Sequence, residues 1–133
     1  MTRALPVQEF PPLTPQGLER LSRALDADVV RVQMSAASPE IKGRIKQTVE
    51  ILKGLFALVS FNDPDAVGVW VATMKDQFKA LTADLRTALG AALGETGACF
   101  YAVSPTESAC VQITETHCQA LGGFFQANTP CPS

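Results

Sequence analysis

The first 98 residues of this 133-residue chain contain no cysteine, and the last 35 contain no lysine or arginine. All four cysteines (Cys99, Cys110, Cys118 and Cys131) fall in that last stretch, whereas all eleven basic side chains precede it. Residues 1–98 set eleven acidic groups against those eleven basic ones, so the net charge of −2 comes from Glu107 and Glu115. With neither sign clustered, the charge pattern offers no nucleic-acid or anionic-membrane surface. Long apolar runs are missing too. The most apolar, Ile51 to Phe61, is interrupted by Lys53 and Gly54 and reaches about half of the ~20 residues that a bilayer span needs. The start, MTRALPVQEFPPL, has an arginine but no continuous apolar core, unlike a secretory signal. Histidine occurs once, as His117. A glycine-rich phosphate loop, a nucleophile elbow and a His/Glu metal motif are absent. These absences lead to a non-enzyme without cofactor or metal, and to a protein partner rather than nucleic acid or membrane.

What is present begins with a repeated device. Thr14-Pro15, Ser38-Pro39 and Asp63-Pro64 each place a side-chain oxygen at a helix N-cap and proline at the first helical position. The missing proline N–H costs nothing there, and φ is already set. Apolar residues then recur at three- and four-residue steps: Leu18, Leu21, Leu25, Val29, Val32 and Ala36 in the first segment; Ile41, Ile45, Thr48, Leu52, Leu55 and Val59 in the second. The third follows Val67, Val71, Met74, Phe78, Leu81, Leu85 and Ala88, with Trp70 beside the seam and Gly90 or Gly94 as the stop. The spacing predicts amphipathic helices over about 15–37, 39–60 and 64–90, forming a body at 14–94. The Ser38-Pro39 junction leaves little loop and suggests a sharp bend between the first two helices. Residues 1–13, with Pro6, Pro11 and Pro12, read as an extended arm with Leu5, Val7 and Phe10 as apolar handholds. That arm either lies along its own bundle or reaches a neighbour.

The second helix is apolar around more than half of its circumference, where one stripe would serve a simple bundle. A central helix covered on both sides explains this. So does self-association through Ile51, Leu55, Phe56, Leu58 and Val59.

Beyond Gly94-Glu-Thr-Gly97, residues 98–133 read as a small cysteine-rich minidomain. Cys99–Val103 and Ala109–Ile113 fit a hairpin, Thr114 caps a short helix Glu115–Leu121, and Gly122-Gly123 close it before a strand at Phe124-Phe125-Gln126. A unit of ~35 residues buries too little to be stable without staples. Four cysteines allow three pairings, and the sequence does not choose among them. An interleaved set, Cys99–Cys118 with Cys110–Cys131, would hold hairpin, helix and last strand together. Zinc ligands usually come as close pairs, unlike these cysteines. His117 lies beside Cys118 and points elsewhere on a helix, which makes a Cys–His nucleophile a poor reading and an exposed helix residue the simpler one. The fold expected is therefore mainly α: a three-helix body with a disulfide-stapled α+β minidomain.

Gly97-Ala98-Cys99, Cys110, Thr114, Cys118, Gly122-Gly123 and Cys131 stand in an order that resembles an unnamed cysteine-rich repeat of bacterial surface and secreted proteins. Phe100 stands where that repeat often carries a further cysteine. The resemblance implies an extracellular or cell-surface setting, reached without a recognisable signal peptide, and no particular activity.

Three functions fit. The leading one is a structural or interaction protein whose helices assemble into an oligomer or filament, the stapled tail facing outward. A secreted effector or inhibitor would instead present Phe100, Tyr101, Phe124 and Phe125 to a partner. A modified-peptide precursor would use the helices as a leader and be processed after Gly122-Gly123.

Overall fold

The structure, a computed structural model, describes residues 10–58, 64–104 and 107–132. Three long helices come first: α1 (Pro15–Gln33), α2 (Pro39–Leu58) and α3 (Pro64–Leu89). A 3-10 turn (Gly90–Leu93) leads into strands β1 (Thr96–Ala102) and β2 (Ser108–Thr114), a short helix α4 (Glu115–Leu121) and strand β3 (Phe124–Ala127). The molecule is thus mainly helical, with a small antiparallel sheet stapled by two disulfides at its C-terminal end.

The caps sit where the proline pairs place them. Thr14 Oγ1 accepts from the Gly17 N–H at 3.0 Å, and Ser38 Oγ accepts from the Ile41 N–H at 3.2 Å. Asp63 lies outside the described residues. Gly90, at φ 56°, ends α3, and Gly94, at φ 85°, ends the 3-10 turn; both are left-handed positions that glycine adopts without a Cβ penalty. Arg86 donates to the Gly90 and Gly94 carbonyls at 3.1 and 2.9 Å, satisfying acceptors that the helix end leaves open.

Helix α1 stops at Gln33, four residues short of the expected end. Ser35 is the cause: its hydroxyl donates to the Val32 carbonyl at 2.6 Å and accepts from the Ala37 N–H at 3.2 Å. It thereby offers the backbone an alternative to another helical turn. The freed residues make a true loop, so α1 and α2 form an antiparallel hairpin rather than a sharp bend. Lys53–Asp26 at 3.0 Å and Lys42 Nζ to the Gln33 carbonyl at 3.0 Å fix that register.

In the sheet, β1 is central, flanked by β2 and β3. Cys99 pairs with Val111 and Phe125, and Phe100 with Cys110 and Phe124. Because side chains alternate along a strand, Cys99 and Tyr101 face the core while Phe100 and Cys110 face out. Helix α3 packs along β2, where the Thr82 hydroxyl donates to the Gln112 carbonyl at 3.3 Å. The cysteines pair as the interleaved set: Cys99–Cys118 is buried, and Cys110–Cys131 is half-exposed.

One apolar cluster runs through body and tail alike. Leu21, Leu25, Leu52, Phe78 and Leu81 join Cys99, Tyr101, Val111, Ile113, Cys118 and Leu121 in it. Gly17 is where α1 meets α4 most closely: a Cβ there would collide with the Leu121 carbonyl.

Candidate functional site

Among the described residues five large apolar side chains are exposed: Val30 and Met34 lie on and just after α1, and the antiparallel register of α2 and α3 places the other three. Trp70 Nε1 donates to the Leu55 carbonyl at 2.7 Å, and Arg44 pairs with Asp84 at 2.7 Å about three to four turns away. That hydrogen bond and charge raise the Arg44 guanidinium above its ordinary pKa. Leu58, at the end of α2, is therefore level with the first turns of α3, where Val69 lies. Leu58 is 79% exposed, Val69 69% and Ile51 43%. Ile51 and Leu58 are two turns apart on one side of α2, so the three side chains form a strip along the outer seam of the two helices. Farther along that seam, Thr48, Ile51, Ala80 and Ala83 line a groove of about 510 Å³ that ends at the Arg44–Asp84 pair.

The residues expected to associate thus divide. Phe56 is buried in the chain's own core, Leu55 is half-buried, Ile51 and Leu58 are exposed, and Val59 lies outside the described residues. Val69 was not among them; it directly precedes Trp70, which takes the inward position while Val71 is half-buried. The signal was legible: Val67, Trp70, Met74, Phe78, Leu81 and Leu85 form an unbroken three-four pattern.

The tail aromatics also divide. Tyr101 is buried (1% exposed), and its hydroxyl meets Met74 Sδ at 3.7 Å. Burial pushes its phenol pKa up. Phe125 is half-buried against the core. Phe100 and Phe124 lie on the outer face of the sheet, half-buried, with the Phe10 ring stacked on them at 5.3 and 6.5 Å. The arm, as far as it is described, therefore lies on its own sheet.

His117 is a correction. It is buried, not exposed (1%), and its Nε2–H donates to Asp28 Oδ2, itself 7% exposed. Asp28 Oδ1 is 3.4 Å from Arg31 Nη1, and Arg31 Nη2 donates to the Ala92 carbonyl at 2.9 Å. The Nδ1 of His117 has no hydrogen-bond partner among the described residues. With the histidine buried and all four cysteines in disulfides, these reactive side-chain types are committed to the interior and to the staples.

An open cleft of about 440 Å³ runs along the edge where α3 meets the sheet, between Lys79 and Arg86 on one side and Gln112 and Asn128 on the other. Arg86 is already engaged in capping. Among the described residues no cluster of three or more His, Cys, Asp or Glu side chains could hold a metal ion, and no helix is long and apolar enough to cross a membrane. Comparison with known protein families, with curated proteins and with solved structures finds no match to this chain.

Proposed function

We propose that this is a non-enzymatic structural or interaction protein that self-associates through its helices into an oligomer or filament, in an extracellular or cell-surface setting. The observation that carries the reading is the strip formed by Ile51, Leu58 and Val69. Three large apolar side chains held in water along one seam are a standing cost that a second copy would relieve, at roughly 25 cal/mol per Å² buried. Ile51 and Leu58 also belong to the surplus apolar surface that the sequence of α2 displays. The two disulfides suit an oxidising compartment. The burial of His117 supports the non-enzymatic part, since a side chain enclosed this way meets no substrate.

Size-exclusion chromatography with light scattering tests the reading. An assembled species is expected at micromolar concentration, and Leu58→Glu with Val69→Glu is expected to disperse it. A strictly monomeric wild-type protein would sink the proposal.

A further inference from the structure

The last described residues reach back across the sheet without joining it. The Asn128 N–H donates to the Thr96 carbonyl at 3.0 Å, and beyond it residues 129–132 make no backbone hydrogen bond among the described residues. Pro130 and Pro132 have no N–H to give. The anchor of this segment is the bond from Cys131 to Cys110, which lies on the outer face of β2 opposite Phe100. Both cysteines are half-exposed. The other bridge differs in each respect. Cys99 and Cys118 are buried within β1 and α4, and Gly123 closes over them so tightly that a Cβ there would collide with the Cys99 sulfur. Where α3 meets β2, a cleft of about 300 Å³ is lined by Lys75, Phe100, Ser108, Cys110 and Pro132. Lys75 has no ion pair among the described residues, so its ammonium shares the cleft with Cys110 uncompensated.

We propose that Cys110–Cys131 is an exchangeable disulfide at which an external small thiol becomes attached to Cys131, with Lys75 holding the departing Cys110 thiolate. All four cysteines are paired, so the attacking thiol comes from outside the chain. A thiolate approaches a sulfur in line with the bond that it breaks. Behind Cys110 lies its own strand, whereas Cys131 sits between the exposed Pro130 and Pro132. Cys131 is therefore the sulfur within reach, and access decides which one is attacked. In the step, the incoming sulfur bonds to Cys131 Sγ, the bond to Cys110 Sγ breaks, and its electron pair leaves on Cys110. One disulfide and one thiolate are consumed and one of each is formed, so no further oxidant or reductant enters. A cation near the departing sulfur stabilises its thiolate and speeds its departure. Because residues 129–132 share no backbone hydrogen bond with the sheet, the β1–β3 pairing and the inner bridge stay in place when the outer bond opens. Cys110 can then attack Cys131 in turn and expel the added thiol, which makes the attachment reversible.

The test incubates the full, folded chain with mercaptoethanol, quenches early time points with N-ethylmaleimide and maps the peptides by mass. The expected product carries mercaptoethanol on Cys131 and maleimide on Cys110, keeps Cys99–Cys118 closed and retains the circular dichroism of the untreated protein. Mercaptoethanol found mainly on Cys110, both bridges opening at one rate, or no adduct until the protein unfolds would each overturn the proposal. Lys75→Gln is expected to slow adduct formation about threefold, and Lys75→Arg, which keeps the charge, to restore the rate. A glutamine variant as fast as the wild-type protein would overturn the part assigned to Lys75.

Discussion

Asp28 and His117 are hydrogen-bonded to each other in the interior although 89 residues separate them in the chain. The pair joins α1 to α4, and so ties the helical body to the stapled tail through polar atoms within an otherwise apolar cluster. A hydrogen bond of this kind adds little net stability, whereas leaving one of its partners alone costs a buried group its solvation.

The losses from removing each member are therefore expected not to add. Asp28→Ala should cost about 2 kcal/mol, because both imidazole nitrogens are then without partners. His117→Leu should cost roughly 3 kcal/mol, since it leaves a buried carboxylate with only Arg31. The double variant should cost clearly less than the sum. Urea denaturation of the four proteins closes the cycle, and additive losses would refute the coupling.

Two glycine-to-alanine changes are expected to have opposite signs. Gly17→Ala puts a methyl against the Leu121 backbone and should destabilise by about 1–3 kcal/mol, as overpacking does. Gly43→Ala, in the second turn of α2 with nothing within 4 Å of the new Cβ, should stabilise by about 0.5–1 kcal/mol through helix propensity alone. Thermal denaturation reads both.

Tyr101 is the only tyrosine of the chain, so its ionisation can be followed by ultraviolet absorbance without interference. Burial raises its folded-state pKa above the unfolded value of about 10. The unfolded chain then gives up the phenol proton first. The stability contributed is fully present below about pH 10 and is lost as the pH rises further. Tyrosinate absorbance should appear only together with unfolding, and Tyr101→Phe should remove this part of the alkaline sensitivity. A phenol that titrates near pH 10 while the fold remains intact would contradict the buried placement.

The two disulfides should open in order. Cys110–Cys131 is half-exposed and Cys99–Cys118 is buried, so a mild reductant followed by alkylation is expected to label Cys110 and Cys131 first. Each bridge closes a loop of about 20 residues and is worth roughly 3 kcal/mol in the chain-entropy picture. Losing the inner one should cost more, since two apolar sulfurs also leave the core. Mass mapping of the alkylated peptides decides the order.

Much of this architecture is local and could be read in the chain. A threonine or serine before proline fixes a helix start whatever packs against it. Thr114 and Gly122-Gly123 likewise delimit α4 through bonds made within a few residues: the His117 N–H to Thr114 Oγ1, and the Gly122 and Gly123 N–H groups to the Cys118 carbonyl. What escaped was everything decided by contact between distant segments. His117 follows a helix start and resembles a solvent-facing residue until α1 is laid against α4. Tyr101 reads as a display aromatic until the strand's inner face is known. The end of α1 differs from the expected one for a smaller reason: helical spacing continues to Ala36, but the Ser35 hydroxyl, able to bond its own backbone, ends the helix first. The candidate surface lay between these extremes, because an amphipathic pattern shows how much apolar area a helix carries and not which part its neighbours cover.

The interleaving of the staples also bears on processing after Gly123. Residues 124–132 contain Cys131, which is bonded to Cys110 upstream, and β3 is paired with β1. A cut at that point would add one water to the mass and release nothing. The product would be a two-chain protein, still covalently closed, that falls apart only when reductant is added.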